Sequence, residues 1–429
     1  MRNLINLLLS IGMTLSPFTV NAVSFSLLGK EVTFSGFATA GFAISDQNYR
    51  YQRFITNDGT FKRDSVLGGQ LDLKLNDAFS ITTQAKLAPS LSDDQKIEPI
   101  LTWAFVSWRP TNDLLFRGGR VRIPLYLNSA NTDIGATFDF ARLPTEIYST
   151  TPTTDIDGFA ASKTWNLALG ELTLDGYIGT THLHFRQAAS NFPPFATEAY
   201  YLPATTNLYG LALTLQTNEN IFRVSAYDTY TKLRVPSTFP FVSIMPGVGY
   251  YQVSNDLPGP GVPEVDIIHT PIYSVGADIG IGYGFRLMAE YVRRNVLDMD
   301  TSSDSQSAYL AILKPIQAWT PYVNVAFLRS MDNTLQLYRA MKHNVVPESI
   351  PGAALLNAAQ YSAASLIESY DQITWAIGTS YRINSTSKLK AEWAITDIGD
   401  VSNFVDTPIN EFSGNRLINV FSVSYSLVF

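Results

Sequence analysis

The sequence predicts an all-β fold, a transmembrane antiparallel β-barrel of about sixteen strands, and three observations lead there. Apolar and polar residues alternate with period two through most of the chain. Beyond the N-terminus, no stretch reaches the roughly 18 or more apolar residues that a membrane-crossing helix needs. The connections between the alternating segments are short and long by turns. Charged residues are 16% and aromatics 12%, low in charge and rich in Tyr and Phe. A lipid-facing barrel wall produces this composition, because only every second residue faces the bilayer.

Residues 1–22 have the pattern of a secretory signal peptide. Arg2 supplies the basic start, Leu4 to Leu15 the short apolar core, and Val20-Asn21-Ala22 the small-x-Ala cleavage site. The barrel domain is expected over 23–429, with no plug domain before the first strand.

The strands are expected at 31–45, 65–75, 78–88, 98–109, 113–123, 156–167, 170–183 and 206–217, then at 220–232, 272–281, 284–296, 306–314, 317–330, 370–382, 386–399 and 415–429. Two neighbours show the reasoning. Leu71, Leu73 and Leu75 share one face and Gln70, Asp72 and Lys74 the other. In the next strand Phe79, Ile81, Ala85 and Leu87 alternate with Ser80, Thr82, Gln84 and Lys86. In the segment ILTWAFVSW the same rule puts Leu101, Trp103 and Phe105 together, facing lipid or another subunit.

Tight turns such as LNDA, RPTND and IGYG alternate with long connections at 46–64, 124–155, 184–205, 233–271 and 331–369. Short periplasmic turns and long extracellular loops are the outer-membrane arrangement, and an even strand number places both ends on the short-turn side. In the last strand Leu417, Phe421, Val423, Tyr425, Leu427 and Phe429 share one face, and Ser422, Ser424 and Ser426 the other.

The chain has no cysteine, which excludes disulfides, zinc–thiolate sites and a thiol nucleophile. The net charge of −7 argues against nucleic acid as a partner. No Gly-x-Ser-x-Gly, His-Glu-x-x-His or P-loop pattern occurs, so neither catalytic residues nor a cofactor are expected. His182 and His184 lie two apart on one strand face, but no third metal ligand is evident, and rim positions explain them.

A barrel of about sixteen strands leaves an aqueous channel unless it is plugged. The connection 124–155 is the candidate constriction, with Asp133, Asp139, Arg142 and Glu146 in it. In the strand before it, Arg120 and Arg122 alternate with Val121 and Ile123. With the aliphatic pair turned to lipid, both arginines point into the lumen. The expectation is that Arg120, Arg122 and Arg142 face Asp133, Asp139 and Glu146 across the narrowest point. A transverse field there would select among solutes. Parity also places Lys74, Lys86, Arg286, Lys388 and Lys390 on the lumen wall, mixed with acidic residues rather than in a one-sided basic ladder.

The run WAFVSWRPTNDLLFRGGRVRIPLYLNSANTDIGATFDFARLPTEIYS resembles the corresponding part of the Gram-negative porin superfamily. There an aromatic strand, a short turn and a Gly-Arg strand lead into an inward loop. The likeness covers about 50 residues, and the phosphate-selective porins O and P are distant members of the same class. It implies a homotrimeric, passive channel in the outer membrane, amid its lipid and lipopolysaccharide. By position, Arg120 and Arg122 match the Gly-Arg strand and Arg142 falls in the inward loop. Phe429, with Tyr425 before it, resembles the signal read by the outer-membrane assembly machinery. The expected function is passive diffusion of small hydrophilic solutes and ions. The alternatives are a substrate-specific channel for an anion, carboxylate or sugar, and an enzymatic or adhesive barrel.

Overall fold

In the structure, a computed structural model, the alternation along the chain becomes an alternation of wall faces. Residues 22–27, 29–151, 153–188, 199–238, 249–257, 259–297, 303–408 and 410–429 are described. Except for Ala22, the expected signal segment lies outside them.

The strands are β1 (Val23–Leu27), β2 (Lys30–Ser45), β3 (Val66–Lys74), β4 (Phe79–Pro89), β5 (Ile97–Thr111), β6 (Leu114–Arg122), β7 (Asp155–Leu167), β8 (Gly170–Ala188) and β9 (Ala199–Gln216). They continue as β10 (Ile221–Thr238), β11 (Glu264–Gly282), β12 (Phe285–Arg294), β13 (Ser305–Leu313), β14 (Trp319–Ser330), β15 (Tyr370–Arg382), β16 (Ser387–Ser402) and β17 (Arg416–Val428). Strands β2 to β17 pair in sequence, each antiparallel to the next, and β17 pairs back onto β2 from Val420↔Ser45 to Val428↔Phe37. The result is a closed barrel of sixteen strands, matching the expected set one for one.

The short β1 is an addition. It pairs with β2 from Val23↔Phe34 to Leu27↔Lys30, just past the residues that β17 occupies. Phe429 exchanges backbone hydrogen bonds with Gly36 at 2.8 and 2.9 Å, so β1 prolongs the ladder that the C-terminal strand begins. The Phe429 ring lies over Gly36, where a Cβ would be 2.2 Å from the ring.

The two faces follow the expected parity at most positions. Leu71, Val224, Trp393 and Phe421 are exposed on the outer wall. Ser422, Ser424 and Ser426 are buried inside, Ser426 against Thr39 at 3.0 Å. Among the described residues no helix is long and apolar enough to cross a membrane.

Two departures have local causes. Leu101, Trp103 and Phe105 do not share a face. The register passes from Gln84↔Trp103 to Ala85↔Leu101, so Thr102 is an extra residue, a β-bulge. Its hydroxyl is within hydrogen-bond distance of the Gln84 backbone oxygen and Oε1, at 3.1 and 2.8 Å. Leu101 stays outside, while Trp103 and Phe105 turn in beside Gln84 and Thr82. Period-two reading fails wherever a bulge inserts a residue.

The second departure is length. Strands β8 to β11 have 18 or 19 residues each and run well into the connections expected at 184–205 and 233–271. Crossing a bilayer takes only about 9–11 tilted residues, so these strands stand clear of the wall band. The connection 331–369 holds two helices, α2 (Asp332–His343) and α3 (Ala353–Leu366), joined to 250–257 by buried Tyr338, Met341, Leu356 and Tyr250. Helix α1 is the single turn Thr145–Tyr148 inside 123–154.

Candidate functional site: the inward loop and the outer vestibule

Between Arg122 and Asp155 the chain folds into the lumen and touches the inner wall on several sides. It first crosses to β10–β12. Ser225 and Ser274 hydroxyls donate to the Leu125 carbonyl at 3.1 and 2.8 Å, and Glu290 accepts the Leu127 N–H at 2.8 Å. It then returns toward β4, β2 and β17. Asp133 pairs with Lys86 at 2.6 Å, and Gly135 packs so closely on Thr39 and Ser426 that a Cβ would clash with both hydroxyls. Asp139 pairs with Lys388 at 2.8 Å and accepts from Ser380 at 2.7 Å. The Ala141 N–H donates to the Tyr322 hydroxyl at 2.9 Å, which donates to Glu392 at 2.8 Å.

The loop's apolar side chains fill the space between these bonds. Leu125, Phe140 and Ile147 are fully buried with Tyr177, Tyr309 and Tyr322 of the wall. Phe140 meets Tyr322 edge-on at 5.1 Å, a favourable aromatic geometry. Carbonyls facing this core are capped by Lys390, which is 1% exposed and donates to the oxygens of Gly135 and Phe140.

This packing changes the reading of Arg120 and Arg122. Val121 and Ile123 do not face lipid: they are 1% and 2% exposed in the cluster inside the barrel. Arg120 registers with Asp157 and bonds it at 3.0 Å, on the parity of the outward, 70% exposed Phe159. The parity rule assumes a wet lumen. Here the loop makes the inner face apolar, and the pattern inverts. Arg122 lies past the last register with β5, Ala104↔Arg120. Its guanidinium reaches both Asp155 at 2.7 Å and Asp133 at 2.9 Å.

Of the six charges expected to face one another, only Arg122 and Asp133 meet. Arg142 extends from the loop to Asp64, Gln52 and Ser422. Glu146 has no cationic partner among its hydrogen bonds and accepts from Gln372 and Thr374. Lys86, Lys388 and Lys390 all touch the loop, as their inward parity requires. Arg286 pairs with Asp278, and Lys74 pairs at 2.9 Å with Asp77 in the next turn, away from the loop. Strand parity places Glu290 on the lumen wall, but nothing in the spacing points to the partners Asp64, Asp155 and Tyr322. Nothing local marks a wall or loop residue as the one an inserted loop will meet.

Above the loop, on the side of the long connections, lies a cavity of about 890 Å³. Ser149, Thr150 and Thr153 form part of its lining, Leu208, Tyr227 and Ile272 an apolar wall, and Leu366 and Ile367 at the end of α3 reach its edge. Arg53, Arg63, Arg186 and Arg294 also line it, as does Arg120 with its partner Asp157 outside the lining, and Glu368 is the one carboxylate among the described lining residues. Behind them, Asp94 joins Arg53, Arg186 and Tyr201. Burial alone would raise the Asp94 carboxyl, but hydrogen bonds from Arg186 and Arg53 outweigh it and hold the group down to about 2. His182, at the rim, meets Thr205 at 3.1 Å, and no cluster of metal-ligating residues occurs among the described residues.

No protein-family model and no curated protein matches this chain. Solved structures do align with it along most of its length. OmpT from Vibrio cholerae, an outer membrane protein in trimer form, aligns at TM-score 0.49 and 11% identity, over 93% of this chain and 99% of its own. OmpF from Salmonella typhi aligns at 0.49 and 12%, over 95% and 100%. The anion-selective porin from Comamonas acidovorans aligns at 0.47 and 10%, over 93% and 100%. At these identities the likeness is one of barrel architecture, and the closed barrel itself stands on the strand registers given above.

Proposed function

We propose that the protein is an outer-membrane porin, a passive diffusion channel for small hydrophilic solutes and ions, narrowed by the loop at 124–155. One observation carries the reading. A closed barrel of sixteen strands, apolar outside, holds in its lumen a loop bonded to the wall through Lys86–Asp133–Arg122 and Lys388–Asp139. A barrel of this size is wide enough for water, and charged groups beside a narrowed lumen are how such pores discriminate. In this reading Arg122, Asp133, Asp139, Lys86 and Lys388 both tie the loop to the wall and border the constriction, while Arg142, Glu146 and Lys390 serve only to hold the loop. Residues 1–22 direct export and 23–429 form the channel, which by the family resemblance assembles as a trimer.

Purified protein in planar bilayers tests this. Stepwise conductance, with a reversal potential in a salt gradient that shifts in an Arg122→Gln variant, is expected. Absence of conductance would reject the channel. A second reading, a substrate-specific channel, is favoured by the fully buried Leu125, Phe140 and Ile147, which fill part of the lumen. Liposome swelling separates the two. A smooth fall with solute size means general diffusion, and one fast outlier means a specific substrate.

A further inference from the structure

We infer that the outer vestibule is a binding site for an organic monocarboxylate with an apolar body, an inference that rests on the channel reading and names the solute class it would favour. The cavity of about 890 Å³ falls in the size range of small-molecule sites. Its charge is uneven at one place. Arg142 donates to both carboxylate oxygens of Asp64. Arg63 is left 3.7 Å from that carboxylate, beyond hydrogen-bond reach, and among the described residues its one hydrogen bond is to the Ser149 hydroxyl at 3.0 Å. A guanidinium has five N–H donors, so Arg63 lines the cavity with most of them unused.

Arg294, from β12, donates to the carbonyl of Thr150, the next residue along the loop, at 2.6 Å, and pairs with Glu368 at 2.9 Å. Two guanidiniums from separate elements therefore converge on consecutive loop residues. Asp64, Asp94 and Asp406 hold Arg142, Arg53 and Arg186 without themselves lining the cavity, whereas Glu368, the partner of Arg294, does line it, which leaves Arg63 as the less compensated charge. A planar carboxylate matches a guanidinium fork.

The surrounding surface selects the rest of the ligand. Leu208, Tyr227 and Ile272 present an apolar wall from β9, β10 and β11, and Leu366 and Ile367 add to it from the end of α3. An inorganic anion would leave this surface unused, and a sugar would find few carboxylates or amides to bond. An aromatic or branched aliphatic acid uses both parts.

Benzoate is the probe. Calorimetric titration of the full-length protein in detergent is expected to show saturable binding of benzoate, at least about tenfold tighter than benzyl alcohol or inorganic phosphate. Arg63→Gln is expected to weaken benzoate about tenfold, with Arg63→Lys recovering part of the loss at an unchanged melting temperature. Equal binding of phosphate, equal binding of benzyl alcohol, no benzoate binding, or an Arg63→Gln variant that melts normally and binds normally would each overturn the site. Conductance is measured separately. Binding without conductance keeps the site and rejects the channel, while conductance without binding does the reverse.

Discussion

Arg122 ties the inward loop to the wall at the point where the loop leaves β6. Its side chain is 5% exposed and bonded to Asp133 in the loop and Asp155 at the start of β7. Removing one partner of a buried ion pair leaves the others uncompensated, at a cost of about 3–5 kcal/mol. Arg122→Ala is therefore expected to lower the melting temperature and raise single-channel conductance as the loop loosens. Unchanged values for both would show that the loop is held elsewhere. Gly378 offers a second test. A Cβ there would lie 2.3 Å from the Tyr322 ring, whose hydroxyl links Ala141 of the loop to Glu392. Gly378→Ala is expected to destabilise by about 1–3 kcal/mol through overpacking, measured by thermal unfolding in detergent. At this scale the sequence reading was weakest. The residue types of Arg120 and Arg122 were plain, but their facing was not, because Val121 and Ile123 are apolar for the loop's sake and not for lipid.

The elements above the membrane band are tied by charge. Asp94, in the connection between β4 and β5, joins Arg186 of β8, and Arg186 also bonds Asp406 in the connection between β16 and β17. Against burial, the Arg186 and Arg53 guanidiniums hold the folded Asp94 carboxyl down to about 2, below its unfolded value of about 3.9. The stabilisation is then fully present above the unfolded value and is lost as pH falls through about 2. Melting temperature followed from pH 6 to pH 2 is expected to fall more steeply in the parent than in Asp94→Asn, and parallel curves would exclude the carboxyl. Strands were legible at this scale because their period comes from the backbone, and tight turns because Asn, Asp, Pro and Gly mark them. Helices α2 and α3 are not legible in the spacing of the long connection 331–369. The bulge at Thr102 was invisible because one inserted residue leaves no trace in an alternation that simply resumes.

For the whole molecule, the seam between β17 and β2 decides whether a barrel exists. Phe429 bonds Gly36 through its backbone and covers it with its ring. Gly36→Val is expected to displace that ring and reduce the fraction of folded, heat-modifiable barrel on unheated gels. A normal folded fraction would show that the ring's seat is dispensable. The inserted loop is anchored on β4, β12, β15 and β16 through Lys86, Glu290, Gln372 and Lys388. Single substitutions should thus change conductance by degrees, while deletion of 129–147 should raise it abruptly, as read in single-channel steps.

By itself the sequence determined the number of barrel strands, the alternation of turns and loops, and most of the outward set of apolar residues. Each depends on spacing along one strand, and the pleat translates spacing directly into facing. It also located the stretch that would enter the lumen. Only the tertiary structure decided where that stretch goes. It placed Asp64 and Asp155 beside the arginines, turned Val121 and Ile123 inward, and left Arg63 facing a cavity with donors to spare. Those outcomes depend on contacts between residues tens to hundreds of positions apart, and such contacts have no period to read.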